Sequence, residues 1–255
     1  TVDITQPEGQ KIIHQLAGQC DVLIENYKVD GLKKYGLDYE SISAINPKLV
    51  YCSITGFGQT GPYAKRPGYD FLIQGMGGLM SVTGAPDDEA GGPVKVGVAV
   101  TDLFTGLYAA NAIQGALLER HQSGLGQYID LALLDVQAAV LANQASNYLI
   151  GGDVPKRLGN AHPNIVPYQA FATADSHVIL AVGNDGQFKR LCDALEKPEW
   201  VTDDRYTINS ARVEHRQQLC AAISLCLGEK TSAAWLQVFQ EAKVPCGPIN
   251  SIDQV

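Results

Sequence analysis

The feature of this sequence that most constrains its fold is an alternation of short apolar segments with helical ones in its first half. Residues 21–26 and 49–55 are rich in Val, Leu and Ile and have the length of strands. Residues 7–18, 32–35 and 39–45 have helical patterns. Strands that alternate with helices usually form parallel sheets, because each helix carries the chain back to the edge where the next strand begins. The sequence therefore predicts an α/β domain with a mainly parallel sheet.

Three polar loops are expected at the carboxyl edge of that sheet. The first contains Glu25, Asn26 and Tyr27, the second is the glycine-rich segment 56–62, and the third begins near Asp102. Side chains that bind or react with ligands gather beyond the carboxyl ends of the strands in open α/β sheets. These loops are therefore the first candidates for a functional site.

Asp102 lies at the junction between two patterns. Residues 94–100 are rich in valine, as in a short strand, and residues 103–121 carry apolar side chains at helical spacing. Asp102 is therefore expected at or near a helix N-terminus, where free N–H groups and the helix dipole favour an ionised carboxylate. A carboxylate there can cap the helix or act as a nucleophile. The position alone favours the cap, which is the far commoner role.

The second half of the chain has a different pattern of predicted helices and strands. Residues 129–148 have the apolar spacing of one long helix, residues 178–182 form a predicted strand, and a set of amphipathic helices follows. We expect a domain boundary near Asp175. It would separate a large α/β domain, residues 1–174, from a small α+β domain, residues 175–255.

Composition narrows the possible functions. The hydrophobic share of 45% is that of a globular protein, and the net charge of −8 argues against binding nucleic acid through general charge. No apolar run has the length of a membrane span, and no signal-peptide pattern opens the chain. The six cysteines include no C-x-x-C pair, and no His/Cys cluster has metal-ligand spacing. We therefore expect reduced cysteines, no metal, and a cytoplasmic or mitochondrial-matrix location.

Several segments, taken together and in order, resemble the class III (CaiB/BaiF-type) coenzyme A transferases. The segment GVAVTDL at 97–103 is one of them, and the others are residues 21–27, 51–62, 66–70, 104–108, 126–130 and 182–188. Residues 165–171 and 244–250 are most similar to the dicarboxylate branch, the succinyl-CoA:glutarate type. The resemblance implies a parallel-sheet large domain, a smaller α+β domain and an interlocked homodimer. By the same comparison, this sequence is expected to be a fragment that lacks an N-terminal part and a C-terminal return segment.

The resemblance also implies a catalytic role for Asp102. Its position matches the aspartate that forms covalent intermediates with the acyl group and with CoA in this family. A carboxylate can attack a thioester directly, and an acceptor acid that is already ionised needs no general base. Acyl-CoA and small carboxylic acids would be the substrates, and no permanently bound cofactor is expected.

Two other functions remain possible at this stage. The α-methylacyl-CoA racemases of the same family use a histidine within a Gly-His-Asp segment, and this chain has Gly68-Tyr69-Asp70 there. A tyrosine with a pKa near 10 is a poor base at neutral pH, which favours the transferase. The other alternative is a non-catalytic CoA-binding protein, against which the retained Asp102 argues.

The resemblance assigns further residues by position. Residues expected to contact CoA lie on two loops and a helix: Asn26, Tyr27, Lys28, Lys34, Tyr69 and Asp70. A second carboxylate on the substrate would require a fixed cation or several hydrogen-bond donors. The candidates are Arg66, Arg157 and His162.

Overall fold

A three-stranded parallel sheet organises the first part of the chain in the computed structural model, which describes all residues from Thr1 to Val255. Its strands are β1 (Val22–Glu25), β2 (Val50–Thr55) and β3 (Tyr128–Ala132), in the order β1-β2-β3. The helices of this part are α1 (Pro7–Ala17), α2 (Tyr39–Ile45), α3 (Asp70–Met76), α4 (Leu79–Val82), α5 (Val100–Ser123), α6 (Leu133–Ala139) and α7 (Ala142–Gly151), with a 3-10 turn at Lys33–Tyr35. The predicted α/β arrangement with a parallel sheet is confirmed.

Helices cover both faces of this sheet. Cys52 points to one face and packs against Ala109 and Ile113 of α5, while Tyr51 points to the other and packs near Ile42 of α2. Successive side chains of a strand alternate between faces, so a strand covered on both sides needs apolar residues at consecutive positions. The run from Leu49 to Cys52 meets that requirement and is completely buried.

The expected long helix over residues 129–148 is wrong. Its first residues form β3, in which Ile129 pairs with Cys52 and Leu131 with Ile54, so the strand joins the sheet beneath α5. The remainder divides into α6 and α7, which are separated by a turn at Val140 and Leu141; Ala142, the first residue of α7, has a φ of +48°. Pairing with β2 is a non-local contact, and it overrides the local helical spacing.

The valine-rich strand expected before Asp102 is also absent. Between α4 and α5 the chain forms only an isolated bridge between Gly84 and Pro93. The backbone N–H of Val96 donates to the Gln74 side chain, 2.9 Å away, instead of to a neighbouring strand. Residues 94–98 therefore run as an irregular segment into α5.

The second part of the chain contains a three-stranded antiparallel sheet with helices. Its strands are β4 (Tyr168–Ala172), β5 (His177–Ala181) and β6 (Cys246–Gly247), in that order. Its helices are α8 (Asp185–Ala194), α9 (Asn209–Glu214), α10 (Arg216–Leu227) and α11 (Ser232–Glu241), with 3-10 turns at Pro198–Val201 and Ile252–Gln254. No helix in either part combines the length and apolar character needed to cross a membrane.

The boundary between the two units lies earlier than expected. The units are Thr1–Arg157 and Leu158–Val255, so Asp175 falls inside the second one. The reason is β4, which precedes Asp175 but pairs along its whole length with β5. The change in the sequence pattern near residue 175 corresponds to the turn between β4 and β5 within the second unit.

Arg212 is the buried polar centre of the second unit. Its side chain is 1% exposed and stacks on Phe188, with the guanidinium carbon 4.4 Å from the ring centre. It donates to the carbonyl oxygens of Val166 (2.9 Å) and Tyr206 (2.8 Å) and to the carboxylate of Asp185 (2.7 Å). One side chain thus satisfies three acceptors on separate segments.

Replacing Arg212 by Leu is expected to lower the free energy of unfolding of this unit by about 3 kcal/mol, because acceptors that it now satisfies lose their donor. Both tryptophans, Trp200 and Trp235, lie in this unit, so urea unfolding followed by tryptophan fluorescence measures its stability. Arg205→Leu is the control, since Arg205 is exposed, pairs with Asp203 and lies over the Tyr206 ring without donating to a buried acceptor. Equal losses in the two variants would contradict the role given to Arg212.

Candidate active site

A groove of about 630 Å³ opens at the carboxyl edge of the parallel sheet. Its walls are the segments that follow β1 and β2 and the first turns of α5, so the topology brings the three predicted loops together. The predicted site residues that line it are Asn26, Tyr27, Lys28, Tyr69 and Asp102. Thr105 and Gly106 extend the wall along α5.

Asp102 is the third residue of α5, and its carboxylate has no hydrogen-bond or ion-pair partner. It does not cap the helix, contrary to the commoner role expected at such a position. Asp70, at the start of α3, is the capping group: its Oδ1 accepts from the backbone N–H of Thr101 at 2.8 Å and of Asp102 at 3.4 Å. The Asp102 carboxylate is therefore left available on the groove wall.

The electrostatic surroundings of Asp102 also differ from the expectation. Partial burial raises the pKa of its carboxyl group above the ordinary value, and the nearby charge of Asp70 raises it further. The sequence predicts stabilisation of the anion by the helix N-terminus, but the Asp70 carboxylate already accepts two of the free N–H groups there. A more basic carboxylate is a stronger nucleophile in its ionised form.

A buried polar network fixes the start of α5. Gln74 donates to Asp70 at 2.7 Å and accepts from the N–H of Val96, and the Thr101 hydroxyl donates to Gln137 of α6 at 2.7 Å. Gln74, Thr101 and Gln137 are all fully buried. Because these bonds tie α5 to both α3 and α6, the position of Asp102 is set by three helices.

Two glycines form a close backbone crossing at the groove. A Cβ atom on Gly56 would lie 2.4 Å from the Cα of Gly68, and a Cβ on Gly68 would lie 2.3 Å from the Cα of Gly56. Both residues line the groove. No other residue type fits at either position without separating the two segments.

Three basic side chains, Lys28, Lys65 and Arg66, line the groove without a carboxylate partner. The Arg66 guanidinium lies over the ring of Tyr63, 4.5 Å from its centre, and 5.8 Å from the ring centre of Phe57. Stacking holds a guanidinium in place while leaving its N–H donors free. The groove thus combines one free carboxylate with unpaired cations.

Other predicted residues lie outside this groove. Lys34 lies over the ring of Tyr35, and the Asp70 carboxylate accepts from the N–H groups of α5 without lining the groove. Arg157 donates to the carbonyl oxygen of Ala85 and pairs with Asp87. His162 belongs to the second unit, where partial burial and the charge of Arg216 lower its pKa.

Sequence reasoning missed some residues at this site. Thr105 follows Asp102 by three residues on α5, and that helical spacing could have identified it. The same spacing relates Gln74 to Asp70, four residues earlier on α3. Gln137 carries no comparable signal, because its partner Thr101 is 36 residues away in sequence. No three His, Cys, Asp or Glu side chains lie close enough together to hold a metal ion.

Comparison with known proteins places this geometry in a family. The model of CoA-transferase family III matches residues 1–255. The succinate–glutarate CoA-transferase of Agrobacterium fabrum is 56% identical over 253 residues, which cover 99% of this chain and 62% of that protein. The succinyl-CoA:glutarate CoA-transferase of Mus musculus is 47% identical over 254 residues, which cover 100% of this chain and 58% of that protein.

A solved structure shows the same fold. A CAIB/BAIF family protein from Brucella suis aligns with a TM-score of 0.84 and 52% identity, over 99% of this chain and 66% of that one. The chain spans about three fifths of the length of the two curated relatives. The match over its whole length shows that this chain belongs to CoA-transferase family III.

Proposed function

We propose that the protein transfers CoA from an acyl-CoA to a carboxylic acid, with Asp102 as the nucleophile. The observation that carries this proposal is the free carboxylate of Asp102 on the groove wall, at a helix N-terminus that Asp70 caps in its place. The family and the names of the relatives support CoA transfer as the reaction.

The proposed reaction begins when an Asp102 oxygen attacks the thioester carbonyl of the donor. The C–S bond breaks, CoA leaves as a thiolate, and a mixed anhydride forms. The thiolate then attacks the aspartyl carbonyl and displaces the donor acid, which leaves CoA attached to Asp102 as a thioester. The acceptor carboxylate then attacks the aspartyl carbonyl and displaces the CoA thiolate, which gives a new mixed anhydride. The thiolate attacks the acceptor's carbonyl in that anhydride, so that the new acyl-CoA forms and the Asp102 carboxylate is released. No step consumes a proton, so the groove needs no general base.

The substrates we propose are succinyl-CoA as donor and a short dicarboxylate such as glutarate as acceptor. The names of the two relatives support this choice. A second carboxylate on the substrate needs a cation. Of the three predicted candidates, Arg66 is the one that lines the groove with Asp102, whereas Arg157 is paired with Asp87.

We also propose that the protein forms a homodimer in an intracellular, reducing compartment. Helix α5 exposes large apolar side chains beside the groove, among them Leu103 (60% exposed) and Leu107 (65%), which supports a covering partner. All six cysteines are free thiols, which supports a reducing location. Light scattering of the protein in solution is expected to give the mass of a dimer, and the mass of a monomer would contradict this proposal.

Asp102→Asn is expected to reduce CoA transfer to background, because a neutral amide cannot attack the thioester. Stability should be unchanged or slightly higher, since the carboxylate has no partner to lose and a like charge near Asp70 is removed. Incubation with succinyl-CoA should label Asp102 in the wild type, which hydroxylamine trapping and mass spectrometry of the peptide would detect.

Asp135→Asn is the matched control, because Asp135 is exposed on α6 and does not line the groove.

The labelling rate of the wild type should fall as pH decreases through the pKa of Asp102. Because that pKa is raised, the fall begins at a higher pH than for an ordinary aspartate.

Normal turnover by Asp102→Asn would rule out the mechanism. Exchange of the α-proton of a 2-methylacyl-CoA with deuterated solvent, without any acceptor acid, would indicate a racemase.

Arg66→Gln is expected to lower kcat/KM for glutarate by about tenfold or more, the loss of one charge-assisted hydrogen bond. The value for butyrate, which has no second carboxylate, should stay within about twofold. Mass spectrometry of the acyl-CoA products measures both. Arg205→Gln is the control, since Arg205 lies in the second unit and is exposed. An equal loss with both acids would show that Arg66 does not bind a second carboxylate.

A further inference from the structure

Three polar residues lie side by side across the parallel sheet, at the register position where β1 ends. In the strand register Glu25 of β1 is opposite Ser53 of β2, and Ser53 is opposite Asp130 of β3. Neighbours at one register position share a face of the sheet. Ser53 is almost completely buried at 1% exposure, so its hydroxyl must find partners inside the protein.

The two carboxylate oxygens of Glu25 have different partners. Oε2 accepts from the backbone N–H of Tyr27 at 2.7 Å, and Oε1 accepts from the Ser53 hydroxyl. Ser53 in turn accepts from the side-chain amide of Gln59 at 2.7 Å. The carboxylate of Asp130 accepts from the backbone N–H of Gln59 at 3.1 and 3.2 Å.

This chain of bonds connects two walls of the groove. Tyr27 lies in the segment after β1 that forms one wall. Gln59 lies in the loop after β2, of which Gly56 and residues 64–69 form another wall. Glu25, Ser53, Gln59 and Asp130 do not line the groove themselves. Glu25, Ser53 and Gln59 line a second cavity of about 330 Å³, which shares Lys28 and Val29 with the groove. Their contribution to a ligand in the groove would therefore be indirect.

We propose that Glu25 is a positioning residue that sets the separation of these two loops and thereby the fit of the CoA moiety in the groove. A carboxylate suits this position because it accepts from Tyr27 and from Ser53 on different oxygens, whereas an amide offers one acceptor oxygen and adds an N–H₂ donor. This inference rests on the proposed function, since it assumes that the groove binds CoA.

The two networks at the groove are separate. Asp102 is fixed by α3 and α6 through Asp70, Gln74 and Gln137, and none of these residues hydrogen-bonds to Glu25 or Ser53. A change at Glu25 should therefore weaken binding of CoA while leaving the reactivity of Asp102 intact. Loss of a residue that merely stabilised the fold would lower both the affinity for CoA and the reactivity of Asp102.

The test compares Glu25→Gln, Ser53→Ala and the double variant, in the complete protein. Isothermal calorimetry gives the Kd for free CoA, and steady-state kinetics give kcat and KM for succinyl-CoA. Each single variant is expected to raise both Kd and KM about tenfold, with kcat within about twofold of the wild type. The double variant should bind about as weakly as either single variant, because both interrupt one chain of bonds.

Glu8→Gln is the matched control, since it makes the same substitution at an exposed position outside the groove. If the sheet variants fail to fold, Gln59→Met cuts the same chain at its half-buried end and should also raise Kd. Unchanged Kd and KM, additive effects in the double variant, or a fall in kcat equal to that in kcat/KM would overturn the inference. The calorimetric result stands even if no transfer is observed, so failure of the proposed reaction and failure of this inference are distinguishable.

Discussion

The candidate site depends on the two hydrogen bonds that the Asp70 carboxylate accepts from the N–H groups of Thr101 and Asp102 in the first turn of α5. A helix N-terminus requires acceptors, and a neighbouring side chain of the helix itself is the ordinary source. Here the acceptor comes from another helix, α3. The same contact therefore joins α3 and α5 and leaves the Asp102 carboxylate without a hydrogen-bond partner. It also places the charge of Asp70 close enough to raise the pKa of Asp102.

The parallel sheet explains why the remaining groups meet at one place. Its three strands end at one edge, so the segments after β1 and β2 lie beside each other although more than twenty residues separate them in the chain. Glu25 and Ser53, at the last register position of the β1–β2 pair, hydrogen-bond to each other on one face of the sheet. Helix α5 packs on the other face and completes the groove. Rigid elements thus carry the loops, which is the usual division between scaffold and site in α/β proteins.

Local pattern was sufficient to predict elements whose partners lie on adjacent segments. The bounds of α2, Tyr39–Ile45, match the predicted helix, and β2 begins one residue later than predicted. Prediction failed where a distant contact decided the outcome: residues 128–132 form a strand because β2 offers a free edge, and residues 94–98 do not because Gln74 takes the N–H of Val96. The resemblance predicted Asp102 and the loop after β1 as site residues, and both line the groove, but nothing local indicates that Asp70 caps α5.

The crossing of Gly56 and Gly68 has a consequence for how such a site can diversify. Where these segments touch, the groove is bounded by main chain on main chain, and no side chain can be inserted between them. The depth of the groove there is therefore set by backbone geometry, whereas the character of its walls is set by exposed side chains such as Arg66 and Tyr69. A change of wall residue can therefore alter the charge and polarity of the groove surface while the depth of the groove at the crossing stays the same. The glycine pair thus separates the shape of the groove at this point from the chemistry of its walls.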